Sequence, residues 1–152
     1  MAKKGKDWLT YKGKIELEYE WSMGKAGHRF FTEIRDNKRI MGTKCRKCGR
    51  ILVPPRIFCE ECFIDDMEWV LLPSTGRLVA FGDCYFSITG EQLKDPWMLG
   101  LVKIDEADGG LLHYLDGCRP EDVKIGMPVE IVFKEKREGN IMDISHFKPI
   151  MD

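Results

Sequence analysis

Little in this sequence speaks for chemistry carried out by the chain alone. It has no Gly-rich phosphate loop of the P-loop or dinucleotide-binding type. It has no Gly-x-Ser-x-Gly or Ser-His-Asp signature. Histidines are few and scattered: His28, His113 and His146. His113 shares a strand face with Leu111 and Leu115, which predicts a buried, hydrogen-bonded imidazole rather than a base. No apolar run approaches the roughly 18 residues of a membrane span. The basic opening MAKKGKDWLTYKGK has no apolar stretch behind it and does not read as a signal peptide. An excess of one charge is also missing. The formal net charge is -1, which argues against nucleic acid or an anionic membrane as the partner of the whole surface. Internal repeats and low-complexity tracts are absent. A cytoplasmic, reducing location is the expectation that remains.

In a reducing compartment, close cysteine pairs read as a metal site before they read as disulfides. Cys45-Arg46-Lys47-Cys48 and Cys59-Glu60-Glu61-Cys62 are two such pairs, with ten residues between them. Two residues between ligands let a tight turn aim both sulfurs at one point. Gly49, directly after the first pair, suits the positive φ that such turns need. Four thiolates give zinc a closed tetrahedral shell, which predicts one structural ion held by Cys45, Cys48, Cys59 and Cys62. Iron suits four sulfurs as well, so a rubredoxin-like electron carrier stays open at this point. A catalytic zinc is disfavoured because the shell leaves no open position. Pro54 and Pro55 forbid a regular central strand between the pairs. That fits a small ribbon dependent on its metal. Cys84 and Cys118 read as buried small hydrophobes.

Seven basic residues crowd the ribbon: Lys38, Arg39, Lys44, Arg46, Lys47, Arg50 and Arg56. No acidic residue falls among them; Asp36 and Glu60 bracket the run. Such a patch suits phosphates, either of nucleic acid or of a phosphate-bearing cofactor, and equally suits plain solvation of a small module.

The chain divides into three parts. Residues 1–39 form an arm and helix, 40–68 the ribbon, and 69–152 a strand-rich domain. In KIELEYEW, Ile15, Leu17, Tyr19 and Trp21 alternate with Lys14, Glu16, Glu18 and Glu20, the pattern of an extended segment with one apolar face. A short amphipathic helix is predicted over about 25–38, with Gly27, Phe30, Phe31 and Ile34 on one face. Both need a surface to cover, either this chain's own barrel or a partner. From residue 76, five β-like runs follow: GRLVAFGDCYFSI, WMLGLVKIDE, GLLHYLDG, MPVEIVFKEKR and NIMDISHFKPI. Pro120, Glu121 and Asp122 mark a short helix between the third and fourth. That order matches an OB-fold, a five-stranded Greek-key barrel. The predicted fold is therefore mainly β: an extended arm and short helix, a rubredoxin-like zinc ribbon, then an OB barrel. By composition and fold alone this could be a single-strand nucleic-acid module, with Phe81, Tyr85, Phe86 and Tyr114 as stacking candidates.

The details favour another reading. RFFTEIRDNKRIMGTKCRKCGRILVPPRIFCEECF, WVLLPSTGRLVAF, IGMPVEIVF and the terminal HFKPI resemble, as a set over about residues 28–150, the acyl-CoA-associated zinc-ribbon/OB-fold family, long catalogued as a domain of unknown function. The resemblance implies a small non-catalytic subunit in a heteromeric complex. Its partner would be a thiolase-like catalytic chain, or in other branches an acetoacetyl-CoA thiolase/HMG-CoA synthase pair, a hydratase or an aldolase. The opening YKGKIELEYEWSMGKAG is similar to the branch that accompanies benzoylsuccinyl-CoA thiolases. That branch implies cleavage of 2-benzoylsuccinyl-CoA to benzoyl-CoA and succinyl-CoA, a step of anaerobic toluene degradation. A heterotetramer of two plus two subunits is implied, with neither nucleic acid nor membrane as partner. Only the four knuckle cysteines carry over residue by residue. No catalytic residue does, and the basic patch would meet CoA phosphates or the partner.

Overall fold

A computed structural model describes residues 13–14, 16–87 and 90–150. Ile15, the basic opening over residues 1–12 and the end of the first β-like run at Ile88 lie outside the described residues. Residues 16–23 take neither helix nor strand, and Leu17, Tyr19 and Trp21 stand exposed. The helix α1 follows at Gly24–Asn37. It turns Phe30 and Ile34 fully into the core, four residues apart on one face. Lys38 ends it in the left-handed region at φ 53, and its N–H and that of Arg39 return to the carbonyls of Ile34 and Glu33 at 3.2 Å. The two halves of the N-terminal segment thus part company: the helix covers its own chain and the described arm does not.

Three strands make the ribbon sheet: β1 (Ile40–Cys45), β2 (Ile51–Leu52) and β3 (Met67–Leu72), in the order β2-β1-β3. Strand β2 stops after two residues, ahead of Val53, Pro54 and Pro55. The segment beyond is held by Thr43, which is 1% exposed. Its hydroxyl donates to the carbonyl of Arg56 and accepts from the Arg56 N–H, both at 2.9 Å. Buried Thr43 therefore leaves no polar atom unpaired.

The second sheet holds β4 (Thr75–Phe86), β5 (Gln92–Ile104), β6 (Gly110–Tyr114), β7 (Pro128–Phe133) and β8 (Ile144–Pro149), in the order β6-β5-β4-β7-β8. Each overlaps one of the five β-like runs, but β5 begins five residues before its run, at Gln92, and β8 begins only at Ile144, after a 3-10 turn at Ile141–Asp143. Gly100, Val102 and Ile104 face inward on β5, while Leu101 and Lys103 face outward. The two edges meet at a single parallel bridge, Leu115 to Phe147, and the Asp116 N–H donates to the Phe147 carbonyl at 3.0 Å. The predicted short helix is a 3-10 turn at Pro120–Asp122, opened by its proline.

One core runs through both sheets. Phe30, Ile34, Ile40, Met41, Val53 and Leu72 from the ribbon side join Leu78, Val102, Ile104, Leu111, Ile144 and Phe147 of the barrel. Burial of each such side chain contributes about 1.5–3 kcal/mol. A polar clasp closes the junction. The Asp108 N–H donates to the Ile51 carbonyl, and the Asp108 carboxylate accepts from the Ile51 N–H, each at 2.8 Å. Gly109 is required there: a Cβ would sit 2.5 Å from the Val53 carbonyl oxygen.

The loop after β7 fixes the helix to the barrel. Asp143, 2% exposed, accepts from the N–H groups of Glu138, Gly139 and Asn140 at 2.8, 2.7 and 3.2 Å. Burial pushes this carboxyl up, but the three donors and nearby Arg137 outweigh it and hold it below the usual carboxylate range. Arg137 then donates to the carbonyl of Arg35 in α1 at 2.7 Å.

Candidate metal centre

Both cysteine pairs sit on turns of the same construction. In the first, the Gly49 N–H donates to the Cys45 carbonyl at 2.8 Å, and the Cys45 N–H donates to the Arg50 carbonyl at 2.9 Å. In the second, the Phe63 N–H donates to the Cys59 carbonyl and the Cys59 N–H to the Ile64 carbonyl, both at 2.8 Å. The residue after each pair is left-handed: Gly49 at φ 79, as its position suggests, and Phe63 at φ 54. The spacing marks this position, but a phenylalanine there is unlike the glycine such turns favour, and Phe63 is 86% exposed.

The two turns bring Cys45, Cys48, Cys59 and Cys62 together, with all four sulfurs within 4.8 Å of one another. Cys48 and Cys59 are 3.8 Å apart. A regular tetrahedron with Zn–S bonds of about 2.3 Å has S–S edges of about 3.8 Å, the separation of the Cys48–Cys59 pair. The backbone N–H of Cys48 is the chief cause that lowers the Cys45 thiol to about 7. Desolvation, then the neighbouring sulfurs, raise the Cys62 thiol to about 12. A cation bound among the sulfurs would favour the thiolate form. The four cysteines are thus arranged to bind a zinc ion, which would supply a cross-link between the turns. Cys84 and Cys118 lie elsewhere. Both are half-buried rather than buried, and the Cys84 thiol donates to the Phe86 carbonyl at 3.1 Å.

The basic run is less bare than its sequence. Arg46 pairs with Asp66 at 3.5 Å and Glu68 at 3.9 Å, Arg50 with Glu61 at 3.0 Å, and Lys38 with Glu135 at 3.3 Å. Arg56 pairs with Glu60. Folding delivers carboxylates that the linear run lacks. Arg39, Lys44 and Lys47 keep no ion pair among the described residues.

His113 is 6% exposed, as its strand face predicts. Neither ring nitrogen makes a hydrogen bond of regular geometry, although the Ile141 backbone lies close enough to act on the ring. The inward-facing register beside Gly100 surrounds the ring with core instead. His28 is exposed, and His146 shares a hydrogen bond with Ser145 at 3.0 Å. Among the described residues no helix is long and apolar enough to cross a membrane.

Comparison with known proteins follows the same division. Residues 32–68 match the family described as ChsH2, rubredoxin-like zinc ribbon domain, and residues 69–134 match ChsH2, C-terminal OB-fold domain. A DUF35 domain-containing scaffold protein of Methanocaldococcus jannaschii is 27% identical over 127 residues, 80% of this chain and 89% of the relative. The benzoylsuccinyl-CoA thiolase subunit BbsA of Thauera aromatica is 30% identical over 67 residues, 44% of this chain and 45% of BbsA. A probable enoyl-CoA hydratase alpha subunit of Thermomonospora curvata is 26% identical over 106 residues, 70% of this chain and 33% of that protein. Among solved structures, a DUF35 family protein of unknown function from Sulfolobus solfataricus superposes with a TM-score of 0.64 at 30% identity, over 84% of this chain and 87% of that one. A chain of an Ltp2-ChsH2(DUF35) aldolase does so with a TM-score of 0.63 at 22% identity, over 86% and 98%, which shows the shared fold.

Proposed function

This chain belongs to the DUF35 family of zinc-ribbon and OB-fold proteins, and on that premise we propose that it is a non-catalytic subunit of a complex acting on CoA thioesters. The observation that carries the reading is the metal cluster itself. All four ligand positions are taken by Cys45, Cys48, Cys59 and Cys62, so the site holds structure and leaves no coordination position for a reactant. Zinc in it would stiffen a ribbon that shares its core with the barrel. The nucleophile and bases would belong to the catalytic partner.

The finer reading is a thiolase. The partner would cleave 2-benzoylsuccinyl-CoA with free CoA to benzoyl-CoA and succinyl-CoA, as a step of anaerobic toluene degradation. Similarity to BbsA supports it. We place the complex in the cytoplasm as two small and two catalytic subunits. Of the seven ribbon cations, Arg39, Lys44 and Lys47 retain unpaired charge for CoA phosphates. A cleft of about 550 Å³ at the barrel edge, lined by Trp97, Met98, Tyr114, Leu115 and His146 among others, suits a part in shaping the acyl pocket. A second reading, the accessory subunit of a hydratase, is favoured by similarity to the Thermomonospora curvata protein.

Co-expression with a thiolase-like or hydratase-like catalytic chain from the same genome tests both. The expected result is one co-eluting complex containing zinc, with thiolysis of 2-benzoylsuccinyl-CoA only when both chains are present. Hydration of an enoyl-CoA by that complex, without thiolysis, selects the second reading. Separate elution, with the catalytic chain fully active alone, sinks the subunit reading.

A further inference from the structure

We propose that residues 16–23 are a docking strand, an acidic and amphipathic extended segment that lies along an apolar strip bordered by Lys and Arg on the catalytic partner. The proposal rests on the subunit reading above and names the surface it uses. Leu17, Tyr19 and Trp21 are 74%, 72% and 72% exposed, and Met23 is 52% exposed. Three large side chains at alternate positions share one side of an extended backbone. The Tyr19 and Trp21 rings already touch, with centroids 5.1 Å apart. Apolar strips of this kind mark contact surfaces.

The root of the arm is anchored, while the arm itself stands in solvent. Helix α1 starts at Gly24, and its Phe30 and Ile34 are locked in the core. Lys25 borders both the hollow beside Ser22 and Met23 and the cleft that holds Ile57 and Trp69. The segment therefore leaves the body next to the second cysteine turn, where Ile57, Phe58 and Phe63 are also exposed. An extended strip with alternating anchors is the form that adds to a groove or sheet edge of another chain.

Charge identifies the occupant. Glu16, Glu18 and Glu20 alternate with the apolar side chains, and only Glu16 has a counter-ion, Lys14, among the described residues. The covering surface must bring cations beside apolar contacts. A second copy of this chain is the competing occupant, but its ribbon offers only Arg39, Lys44 and Lys47 unpaired among the described residues, the other four cations being held by its own carboxylates. A catalytic partner with a basic rim meets the requirement.

The test uses the full chain co-expressed with the same thiolase-like or hydratase-like catalytic chain, and three variants. Leu17→Ser/Tyr19→Ser/Trp21→Ser removes the apolar side; Glu16→Lys/Glu18→Lys/Glu20→Lys reverses the charge; Leu17→Met/Tyr19→Phe/Trp21→Phe preserves shape. The first two are expected to weaken the complex by about tenfold or more, the second more strongly at low salt. The third should bind as the natural chain does. Zinc content and melting temperature of the free chain should not move in any of them. If the natural complex forms and both disruptive variants bind within about twofold of it, the arm is not the docking strand and the subunit reading survives. If the variants alter only self-association, the arm joins copies of this chain and the proposal fails. If the natural chain forms no complex, both readings fall.

Discussion

The two cysteine turns have the same hydrogen bonds and are closed in solvent by very different residues. Gly49 closes the first at φ 79, with open space where a Cβ would be. Phe63 closes the second at φ 54 with 86% of its surface in solvent. A side chain in the left-handed region costs about 1–2 kcal/mol, and exposure returns nothing for it. The first turn leads into β2, which is clasped to the barrel by Asp108. The second carries Ile57, Phe58 and Phe63 outward. The difference shows what a four-sulfur cross-link permits. Where an apolar core would have to draw large side chains inward, a metal leaves them free to face out.

Breaking the cross-link should have the largest effect. Chelation, or Cys59→Ser, removes metal binding of about 10–16 kcal/mol in a module this small. Amide exchange should show β1–β3 losing protection while β4–β8 keep theirs. Simultaneous loss across both sheets would show that the ribbon and barrel unfold as one unit, and the two turns could then not be weighed apart. Next in size is Asp108→Ala, which removes the exposed hydrogen bond from the Ile51 N–H to its carboxylate at a cost of about 0.5–1.5 kcal/mol. Exchange should quicken around Ile51 and stay unchanged around Phe63. An equal response in both turns would contradict the asymmetry.

Acid separates ribbon from barrel. Burial is the main cause that lowers the His113 pKa, helped by the nearby positive charge of Lys134 and by His146. The unfolded chain therefore takes up a proton from about pH 6.5 downward while the folded chain resists. Stability contributed by the neutral imidazole is complete above the unfolded value and is lost as pH falls through the folded one. His113→Leu should flatten that fall in the barrel and leave the pH of zinc release unchanged. An unaltered stability profile would remove His113 from the account.

Much of this was legible along the chain. Cysteine spacing locates four sulfurs that meet, because two tight turns are local objects. Alternation in residues 76–150 locates five strands for the same reason. Pro120 opens its turn where a proline should. The missing parts depend on residues far apart. Glu135 reaches Lys38 across 97 positions, so the basic run looked bare when it is mostly paired. His113 on its strand face looked satisfied, yet the fold brings it only the Ile141 backbone, and in poor hydrogen-bond geometry. The alternation of Leu17, Tyr19 and Trp21 was readable, but their cover is not among the described residues of this chain. Phe63 holds the position after the second pair that Gly49 holds after the first, but its residue type gave no sign of the positive φ it adopts.

The smallest change bears most directly on the comparison. Phe63→Gly should stabilise the free chain by up to about 1 kcal/mol, since glycine takes the left-handed turn without a steric cost and the lost side chain was exposed. Gly49→Phe should do the reverse by about 1–2 kcal/mol, through the same backbone penalty. Melting curves of the zinc-loaded chains read both. The complex should respond the opposite way to the first variant: a phenylalanine held against its backbone preference and left in solvent can repay its cost only by contact with another chain. Phe63→Gly should therefore melt higher alone and dissociate faster from the catalytic subunit. If it gains stability and binds as before, the second turn is an unoptimised copy of the first rather than a surface shaped for a partner.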